Sequence, residues 1–261
     1  METPIYQVDA FTSTVFSGNP AAVCPLGEWL PDEVMQAIAR ENNLSETAFF
    51  VPEGDSYKIR WFTPEAEVDL CGHATLASAY VILKLLETSR TQVQFFSRSG
   101  LLTVSLEADL LAMNFPSQLP RPCEIPPMLV SGLGMEPSEI LCSEDYFAVY
   151  ESEDDIKRLE PDMNALCSIG MRGVIVTAPG RDADFVSRFF APRLGIPEDP
   201  VTGSAHCALI PYWSRRLDKK ELHARQISRR GGELFCRDLG DRVEISGCAA
   251  LYMSGTINIW G

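Results

Sequence analysis

The feature that most limits how this chain can fold is a repeat within it. Arg60-Trp-Phe-Thr-Pro64 returns as Arg188-Phe-Phe-Ala-Pro192, an offset of 128 residues. Each copy precedes a glycine that opens a long apolar stretch, Cys71-Gly72-His73-Ala74 and Thr202-Gly203-Ser204-Ala205, at an offset of 131. Half of the 261 residues is close to the same figure. One supersecondary plan used twice predicts two similar lobes. The expected boundaries are 1–115 and 116–250, with a terminal strand, 251–261, that returns to the first lobe. The segment Pro116 to Pro127, with prolines at 116, 120, 122, 126 and 127, is the best linker.

Periodicity assigns the elements. Ile5 to Phe11, Ala21 to Cys24, Thr47 to Val51 and Lys58 to Phe62 read as strands. Pro31-Asp32-Glu33 opens a helix, with proline suited to the first turn and acids complementing the dipole. Thr75 to Leu86 is a helix apolar on more than one face, which predicts that other elements wrap it. In the second half, Gly173 to Ala178 reads as a strand and Ala205 to Leu217 as the matching helix.

Charge narrows the function. Lys and Arg number 22 against 36 Asp and Glu, a net −14. That field repels phosphate and argues against nucleic acid or an anionic membrane as partner, while leaving room for a local anion pocket. The start, METPIYQVDAFTST, has neither the basic nor the apolar region of a secretory signal, so a cytoplasmic location is expected. The best apolar run, Leu76 to Leu86, falls far short of the roughly 20 residues that span a bilayer. Eight cysteines form no CxxC pair and the three histidines no HExxH, so neither disulfides nor a metal is expected. Phosphate loops, dinucleotide fingerprints and serine elbows are missing too.

The chemistry-bearing candidates gather at the repeated turns. A glycine at a helix mouth, Gly72 or Gly203, lets backbone N–H groups approach a ligand closely. The helix start adds about half a positive charge. Two such starts suit a carboxylate or enolate; ordinary capping by Thr202 and Ser204 is the alternative. Glu46, heading an apolar strand in Asn43-Leu-Ser-Glu-Thr-Ala-Phe49, is poorly explained by burial preferences. In a dry cleft its carboxyl would rise from ~4.3 toward neutral and could exchange protons with carbon acids; as an edge or capping residue in water it would not. Gly173 stands near the corresponding place in the second half, so the acid is one-sided. Asp199 and Asn19 read as turn residues or ligand contacts, and Arg229-Arg230 as a loop or a cation pair for a carboxylate.

Asp9-Ala-Phe-Thr12, Gly18-Asn-Pro-Ala-Ala-Val23, Asn43-Leu-Ser-Glu-Thr-Ala-Phe49, Phe62-Thr-Pro64, Cys71-Gly-His-Ala-Thr75 and Glu198-Asp-Pro-Val-Thr-Gly-Ser-Ala205 together resemble the PhzF family of phenazine-biosynthesis-like proteins. The motifs run in order over nearly the whole chain. The resemblance implies a diaminopimelate epimerase-like α/β (α+β) fold: two pseudo-symmetric lobes, each an antiparallel sheet curled around a central helix, with the site between them. It implies that Glu46 is the acid/base, that His73 and Asp199 act with it, and that Asn19, Cys71, Gly72, Thr202, Gly203 and Ser204 line the pocket. The family's characterised chemistry isomerises a dihydro-hydroxyanthranilate by moving a ring proton, without metal, nucleotide or flavin. A small anionic metabolite as partner and a homodimer follow by the same analogy. Epimerases of this fold place a cysteine at each helix start; here Cys71 occupies one such position and Thr202 the other, which argues against a two-thiol racemase. A one-base or Cys71-assisted epimerase, and a non-catalytic binding or interaction protein, stay open.

Overall fold

The computed structural model describes residues 2–259. The chain divides into two compact units, residues 1–114 with 246–261, and residues 115–245.

In the first unit, β1 (Glu2–Ala10) pairs antiparallel with β2 (Asn19–Pro25), and β2 runs parallel to β3 (Glu46–Glu53). A parallel pair needs a crossover, which α1 (Asp32–Asn42) provides. Next, β3 and β4 (Ser56–Phe62) form an antiparallel hairpin, extended by the short β5 (Glu67–Val68). The second crossover is α2 (Gly72–Tyr80), which leads to β6 (Gln92–Ser97), parallel to β4. Antiparallel β7 (Gly100–Glu107) and β8 (Leu110–Pro116) complete the run. Every residue of α2 from His73 to Ala79 is buried, against β1, β2 and β3. A helix without a polar face can be stable only when wrapped in this way. It starts at Gly72, a turn earlier than the apolar pattern suggests, and widens into π-helical turns over Val81–Leu86.

The second unit repeats the plan. After α3 (Pro127–Leu133), β9 (Glu139–Cys142) pairs antiparallel with β10 (Tyr146–Val149). The crossover α4 (Glu153–Arg158) and α5 (Met163–Cys167) leads to β11 (Val174–Pro179), parallel to β10. Then β12 (Phe185–Ala191) and β13 (Ile196–Asp199) follow antiparallel, and α6 (Gly203–Leu217) crosses to β14 (Glu221–Gln226), parallel to β12. β15 (Gly232–Asp238) turns back along β14, and β16 (Arg242–Gly247) follows. The last strand, β17 (Ala249–Asn258), pairs antiparallel with β1. The return to the first unit begins at Ser246, ahead of the expected residue 251.

One expectation changes. Each sheet is mixed rather than antiparallel, because both crossover helices of each unit bring a strand back in the same direction. The repeated arginines act as clamps. Arg60 grips Glu67 of β5 with two bonds of 2.7 and 2.8 Å; Arg188 grips Glu198 of β13 with bonds of 2.7 and 3.0 Å. Each guanidinium also lies over a phenylalanine of its own strand, Phe62 or Phe190. Such planar forks hold one geometry, and here each fixes the strand that leads into a central helix.

Among the described residues, no helix is long and apolar enough to cross a membrane. Register also explains the missing second acid. Thr47 pairs with Phe62 as Val174 pairs with Phe190, so Gly173 takes the place of Glu46. A Cβ at Gly173 would stand 2.6 Å from the Phe189 ring and 2.8 Å from the Phe190 carbonyl oxygen. Gly173→Ala should therefore lower the urea midpoint by the equivalent of about 1–3 kcal/mol. Gly255→Ala, where nothing lies within 4 Å, should change it by no more than about 0.5 kcal/mol; equal effects would refute the packing argument.

Candidate active site

Because β2 and β3 are parallel neighbours, with Ala21 opposite Glu46, their first residues emerge at one sheet edge. Asn19 heads β2 and Glu46 heads β3. The turn before Asn19 requires Gly18: its φ is +65°, and a Cβ would stand 2.2 Å from the Ala10 carbonyl oxygen. The start of α2 meets the same edge. Asn19 Nδ2 lies 3.3 Å from His73 Nδ1, Cys71 Sγ lies 3.5 Å from that nitrogen, and Glu46 Oε2 is 3.2 Å from His73 Nε2. All four side chains are buried, Glu46 at 9% exposure and His73 at 6%.

Asn19 Nδ2 and Cys71 Sγ thus sit on the Nδ1 side of the ring, and the Glu46 carboxylate on its Nε2 side. Although close, Nε2 and Oε2 are off the hydrogen-bonding direction, and neither has such a partner among the described residues. Burial opposes charge on His73, but the Cys71 sulfur and the Glu46 carboxylate outweigh it, and the imidazole stands well above its ordinary value. Burial pushes the Cys71 thiol up to about 11, and the Glu46 charge adds to the effect.

Glu46, Cys71 and His73 each offer one donor atom within 4.8 Å of the others, close enough to ask whether they hold a metal. Their closest approaches straddle the ring, with sulfur on the Nδ1 side and carboxylate on the Nε2 side. Metal donors converge on one point; this set lines up through an imidazole, which suits proton transfer better.

In the second unit, the start of α6 is built differently. Asp199 ends β13 and is buried. Thr202 Oγ1 donates to Asp199 Oδ2 at 2.5 Å. Gln226, at the end of β14, accepts from Thr202 N at 2.8 Å and donates to the Asp199 carbonyl at 2.7 Å. His206 closes the turn, its Nδ1 2.8 Å from the Thr202 carbonyl, as Thr75 Oγ1 does at 2.6 Å from the Cys71 carbonyl. Burial lowers His206 to about 4, so it is neutral and structural. Ser204 Oγ accepts from Arg172 Nη2 at 3.1 Å.

Capping of the central helices by their own N-cap side chains is not what the structure shows. Neither Cys71 nor Thr202 makes a side-chain cap bond, whereas Ser152 and Asp162 cap α4 and α5 in the usual way. The Cys71 sulfur, a weak acceptor, comes no nearer to capping than a contact with the Ala74 N–H. The starts of α1 and α3 also lack caps but are exposed to water; those of α2 and α6 are largely buried. Buried N–H groups at a helix start need a partner, and an anionic ligand supplies one. The expected residues thus form two groups: Asn19, Glu46, Cys71, Gly72 and His73 in the first unit, and Asp199, Thr202, Gly203 and Ser204 in the second. Gln226, Arg172 and Asp145 were not anticipated; no short motif carries them.

A family model described as phenazine biosynthesis-like protein matches residues 8–126 and 135–255. An uncharacterized isomerase of Pseudomonas aeruginosa is 53% identical over 259 residues, covering 99% of this chain and 100% of that protein. The crystal structure of a PhzF-family phenazine biosynthesis protein from Enterococcus faecalis superposes with a TM-score of 0.97 at 48% identity, over 99% and 100% of the two chains. A predicted epimerase of Pseudomonas aeruginosa shares the fold, with a TM-score of 0.80 at 19% identity over 99% and 100% of the two chains.

The thiol geometry is testable. With iodoacetamide at pH 8, the exposed Cys167 should be alkylated first while Cys71 stays unmodified in the folded protein. Peptide mass spectrometry showing Cys71 labelled as fast as Cys167 would contradict the buried, raised thiol.

Proposed function

The chain belongs to the phenazine biosynthesis-like (PhzF) family of isomerases, and on that premise we propose that Glu46 moves a proton between two carbons of a small carboxylated, unsaturated metabolite. The observation that carries this reading is a buried carboxylate whose Oε2 has no hydrogen-bond partner among the described residues and lies beside His73 at the start of α2.

The chemistry balances within the substrate. Glu46 takes a proton from a carbon activated by conjugation, and the C–H electron pair spreads into the neighbouring double bond and carbonyl or carboxylate. The first-turn N–H groups of α2 offset that growing charge. Protonated Glu46 then returns the proton to a second carbon, and the double bond shifts. His73, beside Glu46 on one side and Asn19 on the other, offers its Nε2–H to the substrate's developing anion. The raised Cys71 thiol counts against its serving as a second base at neutral pH.

The test is turnover in D2O across a panel of conjugated carboxylates that includes a dihydro-hydroxyanthranilate. The wild type should add one mass unit at a carbon position of the product. Glu46→Gln should cut that incorporation on the order of a hundredfold or more. Undiminished incorporation in Glu46→Gln would sink the assignment, and saturable binding without any exchange would favour a non-catalytic binder.

A further inference from the structure

The second unit carries a charged group one residue from the position that corresponds to the acid of the first, and it has the opposite sign. Gly173 takes the register position of Glu46, with the Phe189 ring filling its side-chain space. The adjacent residue is Arg172. Its Nε bonds Asp145 Oδ1 at 2.9 Å, and its Nη2 bonds Asp145 Oδ2 at 2.5 Å. Asp145 is 1% exposed and immediately precedes β10, the counterpart of β2. The guanidinium lies 5.6 Å from the centre of the Phe189 ring. Nη2 also donates to Ser204 Oγ, and Ser204 follows Gly203 as His73 follows Gly72.

Three constraints meet at this hydroxyl. A guanidinium has no acceptor, so Ser204 cannot donate to Arg172. One lone pair of Oγ is taken by a permanent cation, which turns the O–H away from it. No other residue among those described takes that proton by a hydrogen bond. The hydroxyl is therefore committed as a donor, strengthened by the cation behind it, at the start of a helix whose dipole favours an anion. Asp145 sets the plane of the fork, and the Phe189 ring sets its height. A lysine ammonium would fix neither.

We propose that Arg172 is a positioning residue: through Ser204 it makes the start of α6 selective for the carboxylate of the substrate over a neutral isostere. This deepens the proposed function and rests on its premise of a carboxylated substrate. The proton transfer assigned to Glu46 stands or falls on label exchange, which the test below does not use.

The probes are 2-aminobenzoate and its neutral counterpart 2-aminobenzamide, titrated calorimetrically into the full chain. The wild type should prefer the carboxylate. Because Arg172→Gln alone strands the buried Asp145, the paired variant Asp145→Asn/Arg172→Gln is measured beside it, with a thermal melt to confirm folding. The pair should lose the carboxylate preference about tenfold, with amide binding changed less than about twofold. Arg172→Lys, which keeps the charge and loses the fork, should recover only part of it. Ser204→Ala should weaken carboxylate binding in the wild type and add nothing in the paired variant. The proposal is overturned if the folded pair keeps its preference, if Ser204→Ala costs the same in both backgrounds, or if the wild type shows no preference or no binding of the carboxylate.

Discussion

The contact between Glu46 and His73 is the constraint on which the first unit's chemistry depends. Removing a carboxylate from water costs several kcal/mol unless something compensates. Here an imidazole held by Asn19 stands 3.2 Å away, at the positive end of a buried helix. The compensation is deliberately incomplete in geometry, since the facing atoms approach without a proper hydrogen bond. A carboxylate fully satisfied by protein donors would have little left to offer a substrate. The parallel pairing of β2 with β3 makes the arrangement possible, because it puts the two strand heads and the start of α2 at one edge.

The second unit shows what the same plan does without that acid. Phe189 closes the space where a carboxylate would stand, and Asp145, Arg172, Thr202 and Gln226 tie the start of α6 into a fixed network. The strand pairings match unit for unit, while the side chains at the helix starts have diverged: Cys71 and His73 in one, Thr202 and Ser204 in the other. The two helix starts follow one plan, and Glu46 stands beside only the first of them. The net charge of −14 does not register what a helix start offers an anion, because backbone N–H groups are not counted in it.

Much of this was legible in the sequence, and the reasons for what was not are physical. The repeat exposed the two units, and the all-round apolar helix exposed its own burial. Glu46 stood out because an acid heading an apolar strand is unusual. Strand direction was hidden, since side-chain alternation is the same in parallel and antiparallel pairs. The repeated arginines were visible, but their role as clamps needed Glu67 and Glu198 placed opposite them. Arg172, Asp145 and Gln226 were invisible for another reason. Arg172 meets Asp145 and Ser204 at separations of 27 and 32 residues, so only the completed sheet brings them together. Thr202 looked like a cap and proved to be bound to Asp199, a competition that local sequence cannot decide.

The central claim is that one sheltered carboxylate carries the proton from carbon to carbon. It is tested most directly by a substrate deuterated at the donor carbon and turned over in ordinary water. A single buried carrier predicts that part of the deuterium reappears at the acceptor carbon of the product. Product free of deuterium there from the first turnover onward would contradict it.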